Sequence, residues 1–314
     1  TTIVSGPVAT MMLADQGADV IKVEPPTGEQ VRRMGIEHGG LTTTFISCNR
    51  NKRSLCVDLK TATGIDILLK LTKTADVFVQ NFRPGTAERM GLGESALRKI
   101  QPNIIYVSIS GFGEDGPYSH QRVYDPVIQA LSGLAEIQAD RDTGRPRMIR
   151  TIIPDKTTSV TAAQAITAAL FSRERNGVGQ HVRIAMLDTM AAFLWPEAIS
   201  ALSFVGNEHD PASGQMGLDL VYETKDKFIT AGAVSDAEWE GMCKALGREE
   251  LLNDERFSDS ESRSQNMAER RSITSQEIKK WEAKDLLKRF DQEGVPSAPI
   301  LNRWELLEDP QIKA

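Results

Sequence analysis

Three stretches decide how this sequence folds: Ala18-Asp-Val-Ile-Lys-Val-Glu24, Ala75-Asp-Val-Phe-Val-Gln80 and Asn103-Ile-Ile-Tyr-Val-Ser-Ile-Ser110. Each is a short, nearly continuous run of apolar and β-branched residues, the composition of strands covered on both faces. Helical segments lie around them: Pro7 to Gln16, Thr63 to Lys73 and Glu94 to Ile100. The first of these starts with a proline, whose missing N–H costs nothing in an opening turn. Strands alternating with helices predict an α/β fold with a mostly parallel sheet. Thr1 to Pro7 reads as a loop entering a helix, so a first strand is expected upstream and the chain reads as a fragment lacking it.

Further along, residues 156–171 predict a long helix of small side chains, including Thr158, Ala162, Ala163, Ala165, Ala168 and Ala169. A strand is expected over His181 to Met186 and a helix over 187–204. Residues 206–217 read as a loop-like linker, which divides a large domain (1–205) from a small α+β domain (218–314). In the latter, strand Phe228 to Ala233, helix Asp236 to Leu246, a helix near 283–293 and strand Pro296 to Ile300 are expected. The highly charged stretch at 253–285 reads as a solvated helical face.

With 314 residues the chain is long enough for two domains. A net charge of −6 excludes a broad cationic surface for nucleic acid. No apolar run reaches the roughly 20 residues of a membrane span. Three cysteines (Cys48, Cys56, Cys243) without C-x-x-C spacing argue against disulfides or structural zinc and fit the cytoplasm. The four histidines have no metal-ligand spacing, and neither G-x-S-x-G nor a phosphate-loop motif occurs. Gly111-Phe-Gly113-Glu-Asp-Gly116 follows a strand, but Pro117 comes at once where a dinucleotide site needs a helix to open. It reads as a glycine-rich loop.

Asp155 follows Pro154 at the head of the small-residue helix. Aspartate is a good N-cap there, and the helix N-terminus also favours the ionised carboxylate that nucleophilic catalysis requires. Arg32, Lys60, Arg89 and Arg122 recur at the ends of elements. They are either separate surface charges or, gathered at one end of an α/β sheet, a receptor for a phosphorylated ligand. Residue types alone leave both pairs of readings open.

Ordered blocks then carry a resemblance. Val4-Ser-Gly-Pro7, Leu13-Ala-Asp-Gln-Gly-Ala-Asp-Val-Ile-Lys-Val-Glu-Pro-Pro26, Asn49-Arg-Asn-Lys-Arg-Ser54, Val57-Asp-Leu-Lys60, Asn81-Phe-Arg-Pro-Gly85, Tyr124-Asp125, Gly177-Val-Gly-Gln-His-Val182 and Gly294-Val-Pro-Ser-Ala-Pro299 resemble class III CoA-transferases. That is the family of formyl-CoA transferase and carnitine CoA-transferase. The resemblance implies a Rossmann-like large domain, an interlocked homodimer, and a C-terminal return to the large domain that this chain stops short of. It implies acyl-CoA and a carboxylic acid as substrates, with no permanently bound cofactor.

By the same resemblance Asp155 is the nucleophile, passing through mixed anhydrides and an aspartyl-CoA thioester. Ile3, Val4, Ser5, Arg32, Val57, Lys60, Asn81, Phe82, Arg89 and Arg122 match CoA-contacting positions. Tyr124, Gly214 and Gly217 match the substrate pocket. Ser213-Gly-Gln-Met-Gly217 has two glycines where formyl-CoA transferase has a run of four, and Met148 to Ile153 is bulkier than usual. The related α-methylacyl-CoA racemases use a His-Asp pair where this chain has Tyr124-Asp125. Tyrosine, with an ordinary pKa near 10, is a poor base at neutral pH. The resemblance therefore favours a transferase over a 2-methylacyl-CoA racemase. A silent CoA-binding paralogue is the third reading.

Overall fold

The computed structural model describes residues 1–140, 143–206 and 220–314. Two compact units divide the chain, residues 1–212 and 213–314. The first is mixed α/β with parallel strands. Its elements are α1 (Ser5–Asp15), β1 (Val20–Glu24), α2 (Thr43–Asn49), β2 (Lys52–Cys56), α3 (Ala62–Thr72) and β3 (Val77–Gln80). After these come α4 (Glu94–Arg98), β4 (Ile105–Ser110), α5 (Asp125–Leu131), α6 (Ile153–Asn176), β5 (His181–Ala185) and α7 (Met186–Leu194).

Two parallel sheets form. β1 pairs with β2, from Val20 opposite Lys52 to Glu24 opposite Cys56. β4 lies between β3 and β5, parallel to both. Alternating side chains of β4 serve two cores. Ile105, Val107 and Ile109 face Ala9 of α1 and Ala162, Ile166 and Ala169 of α6. Tyr106 faces the other way, among Leu68, Ala87, Leu92 and Leu97. The small residues foreseen in α6 let it lie directly on α1, and this contact positions the site described below. α6 opens with Pro154 in its first turn and ends at Gly177, whose φ of 70° is the left-handed C-cap conformation.

Two features depart from the sequence reading. The helix expected over 187–204 stops at Leu194, because Pro196 supplies no N–H and its ring obstructs the preceding turn. β2 is a strand that its Lys-Arg-Ser-Leu-Cys composition did not announce.

The second unit contains an antiparallel ladder of β6 (Val221–Glu223), β7 (Phe228–Ala231) and β8 (Ser297–Pro299), with β7 in the middle. Against it lie α8 (Asp236–Leu246), α9 (Met267–Ile278) and α10 (Ala283–Gln292). Ile229, Trp239, Phe257, Ile278, Leu286 and Phe290 form the core. Ser235 and Glu238 close a capping box on α8. The 253–285 stretch is not purely a solvated face. Arg263 is buried, bonded to Asp236 and to the Phe257 carbonyl at 3.2 Å, and Ile278 is fully buried.

Candidate active site

The first turn of α6 brings Asp155 against the first turn of α1. Ser5 Oγ donates to Asp155 Oδ1, and the Ser5 backbone also bonds toward the carboxylate. Ser159, one turn further along α6 and fully buried, donates to the carbonyls of Ser5 (2.8 Å) and Asp155 (2.7 Å). One hydroxyl thus fixes both helix starts. From α5, Asp125 Oδ2 accepts the Asp155 N–H at 3.2 Å, satisfying one of the orphan donors of a helix N-terminus. Gln129 donates to Asp125 Oδ1 (2.6 Å) and accepts from the Ile149 N–H (2.9 Å), tying down the segment that leads into α6.

Asp155 is 9% exposed, and among the described residues no cationic side chain bonds to it. Burial pushes its pKa up, and the neighbouring charge of Asp125 adds to this. The Ser5 donors pull it back, and the balance stays raised. Such a carboxylate is more basic, and a better nucleophile once ionised, than one held by a guanidinium.

Asp155 opens into a cavity of about 400 Å³. Ile3, Ser5, Asn81, Phe82, Arg122 and Tyr124, all expected at the site, line it together with Asp155. So does Arg83, a residue of the quoted Asn81 to Gly85 block that was given no role. A lone arginine in a loop reads as an ordinary surface charge. Tyr124 and Asp125 diverge: Tyr124 is 66% exposed at the cavity, while Asp125 turns inward to α6. Gly111 belongs to the wall for a steric reason. A Cβ there would lie 2.4 Å from the Val123 side chain, so the glycine lets this loop approach the Arg122 to Tyr124 segment.

The remaining expected residues lie elsewhere. Arg32 is engaged by Glu24 through two bonds (2.9 and 2.7 Å) and stacks 3.8 Å over the Phe45 ring. Val4 is buried beside the start of α1, and Val57 is buried with its N–H on the Glu24 carbonyl at 2.8 Å. Lys60 is on an exposed turn. Arg89 lines a second cavity of about 750 Å³, which shares Arg83 and Pro84 with the first. Asn81 also holds the chain start, accepting from the Thr2 N–H (2.8 Å) and donating to the Thr2 carbonyl (2.9 Å). Gly214 and Gly217 lie outside the described residues.

Comparison with known proteins identifies the family. The family model for CoA-transferase family III matches residues 1–314. Succinate–glutarate CoA-transferase of Agrobacterium fabrum is 35% identical over 326 residues, 99% of this chain and 80% of that protein. Acetyl-CoA:oxalate CoA-transferase of Acetobacter aceti is 33% identical over 321 residues, 100% of this chain and 82% of its own. The crystal structure of Rv3272 from Mycobacterium tuberculosis superposes with a TM-score of 0.87 at 32% identity, covering 100% of this chain and 83% of that one. With a family match along its whole length and relatives above 30% identity covered nearly end to end, this chain belongs to CoA-transferase family III.

Proposed function

We propose that this transferase moves CoA from a short acyl-CoA to a small dicarboxylic acid, with Asp155 as the covalent carrier. The observation that carries the reading is a buried carboxylate, bonded among the described residues only by neutral donors, at the wall of a cavity that also holds Arg83 and Arg122. Neither guanidinium has an ion-pair partner among the described residues, so both are free to receive anionic groups. The named acids of the two relatives, succinate–glutarate and oxalate, support dicarboxylate substrates.

In the proposed sequence the free Asp155 oxygen attacks the donor thioester carbon and expels CoA thiolate, leaving a mixed anhydride. The thiolate attacks Asp155 Cγ and expels the donor carboxylate, leaving an aspartyl-CoA thioester. The acceptor carboxylate attacks the same carbon and releases the thiolate again, giving a second anhydride. Attack of the thiolate on the acceptor acyl carbon then frees Asp155 and the new acyl-CoA. Each step exchanges a carboxylate and a thiolate, so no proton or electron is gained and the thioester is conserved.

Ile3, Val4, Ser5, Arg32, Val57, Lys60, Asn81, Phe82, Arg89 and Arg122 are proposed to surround CoA, and Tyr124 the acyl group. Arg32 would have to act while paired with Glu24, so Arg89 and Arg122 are the stronger candidates for the phosphates. The working form is proposed to be a cytoplasmic homodimer. Exposed Phe171, Phe193, Trp195 and Phe204 support an interface of that kind. Among the described residues no helix is long and apolar enough to cross a membrane.

The test is direct. After incubation with succinyl-CoA and quenching with hydroxylamine, peptide mass spectrometry should find the hydroxamate at Asp155. Unmodified Asp155 during active turnover would refute the assignment.

A further inference from the structure

The Ser5 hydroxyl already points at the carboxylate oxygen that would become a carbonyl oxygen if Asp155 is the carrier. The geometry points to Ser5 as a catalytic residue: its Oγ–H, with its backbone N–H, forms the oxyanion hole for attack at Asp155 Cγ. This rests on the proposed covalent role of Asp155.

Ser5 Oγ donates to Oδ1, which leaves Oδ2 to attack and to leave with the departing carboxylate. In the aspartyl thioester, Oδ1 is the carbonyl oxygen. When the acceptor carboxylate adds to Cγ, the carbonyl π pair moves onto Oδ1. When that pair returns, the C–S bond breaks and CoA leaves as thiolate. At each attack on Cγ, by thiolate on the anhydride or by carboxylate on the thioester, the charge on Oδ1 rises from the partial charge of a carbonyl oxygen to a full oxyanion at the tetrahedral stage. A donor fixed on Oδ1 therefore bonds more strongly in the transition state than in the ground state, which is the condition for accelerating the step.

The donor is fixed before the reaction starts. Ser5 is 5% exposed in the first turn of α1, and its carbonyl is held by Ser159. Two residues earlier, Ile3 has φ of +67°, a region that β-branched residues rarely occupy. That turn is held by the Ile3 N–H on Glu29 Oε2 at 3.1 Å. An unfavourable backbone geometry two residues before Ser5 is thus maintained by a tertiary bond. Asp125 on α5 is the charged group that acts on Asp155, and Asp155 in turn helps to raise the pKa of the Cys48 thiol on α2; the side-chain donor on Oδ1 is Ser5.

Ser5→Ala keeps the size of the site and removes one donor. Its kcat should fall about 10²-fold, the usual effect of deleting one oxyanion donor, with the KM for either substrate little changed. The Ser5 hydroxyl also holds the Asp155 pKa down, so the acid limb of the kcat/KM profile should move to higher pH in Ser5→Ala. Ser5→Thr, which keeps the hydroxyl, should recover both rate and acid limb. Hydroxylamine trapping of each variant with succinyl-CoA separates the two levels of the argument. Asp155 labelled, with kcat and acid limb unmoved in Ser5→Ala, would overturn the role of Ser5 and leave the covalent reading standing. Asp155 unlabelled in the parent protein would overturn both.

Discussion

Two buried groups of carboxylates in the first unit have opposite surroundings. Around β1, Glu24 is bonded twice by Arg32, and Glu29 lies 2.8 Å from Lys22 with both side chains almost completely buried. At the head of α6, the carboxylate of Asp155 has, among the described residues, only donors from Ser5. Burial raises the pKa of Glu24 as it does that of Asp155. In Glu24 the Arg32 bonds, the Glu29 N–H and the Lys22 charge outweigh it, and the balance is lowered. Without a cation, Asp155 stays raised. Pairing with a cation makes a carboxylate a structural element, and withholding one keeps its electron pairs available. The two groups are also linked, because Glu29 holds the Ile3 turn from which Ser5 follows.

Removing the nucleophile should have the largest effect. Asp155→Ala is expected to reduce transferase turnover by at least about 10⁴-fold, as loss of a covalent nucleophile does elsewhere. Comparing initial rates of parent and variant with succinyl-CoA and glutarate checks this, and near-normal turnover would remove Asp155 from the mechanism. Removing a cation from the β1 group should act through stability instead. Lys22→Met leaves Glu29 buried and unpaired, which costs about 3–5 kcal/mol. Chemical denaturation should show this loss. Activity should drop as well, since the same carboxylate holds Ile3. A variant with parental stability would mean that the pair contributes nothing net.

How much of this could be read in the residues differs between the groups. β1, β3, β4 and β5 were legible because buried parallel strands need apolar, β-branched runs. β2 was not, because Lys52-Arg-Ser-Leu-Cys56 contains no apolar, β-branched run. In the fold, Lys52 turns inward to donate to the Pro7 and Cys48 carbonyls (2.7 and 3.0 Å). Asp155 was legible at the helix start from Pro154 and the helix behind it, but not as an N-cap: α6 begins at Ile153 after Ile152, so Asp155 lies inside its first turn. Its partner was not legible, because Ser5 lies 150 residues away and meets it only when α1 packs on α6. The ion pair of Arg32, a residue left open between a surface charge and a ligand-binding cation, was hidden in the same way. The turn after Pro25-Pro26 folds it back onto Glu24, and no local pattern marks that pairing.

The opposite pKa directions give a pH test of the comparison. Glu24 is lowered from 4.5, so its contribution to stability is present above that value and is lost as pH falls through the folded pKa. Asp155 is raised from 3.8, so folding favours its protonated form. Its contribution is fully present below 3.8 and is lost as pH rises through the folded value. Relative to the parent, Asp155→Asn should therefore gain thermal stability as pH rises from about 4 towards neutrality. Glu24→Gln should lose stability relative to the parent as pH rises towards 4.5 and keep that deficit unchanged above it. Each kcal/mol should read as about 2–4 °C in Tm for a unit of this size. Parallel Tm curves for the two variants would show that the two surroundings do not differ as described.

Tyr124 should give the smallest effect, and it tests what kind of chemistry the raised carboxylate serves. Its side chain is two-thirds exposed, and its hydroxyl has no protein partner among the described residues. At most it offers one hydrogen bond to a bound acyl group, so Tyr124→Phe should slow transfer by about 10-fold or less. A racemase would demand more of this region, because two bases on opposite faces of the α-carbon must exchange its proton. Asp125 is not available as the second base: its carboxylate is buried and already accepts from the Asp155 N–H and from Gln129. A 2-methylacyl-CoA incubated with the protein in D₂O should accordingly stay free of α-deuterium by mass spectrometry, in the parent and in Tyr124→Phe alike. Deuterium uptake that needs both Asp155 and Tyr124, without acyl exchange to a carboxylate, would place a second base where this structure has an exposed phenol. It would also mean that a raised, cation-free carboxylate here removes protons and does not carry CoA.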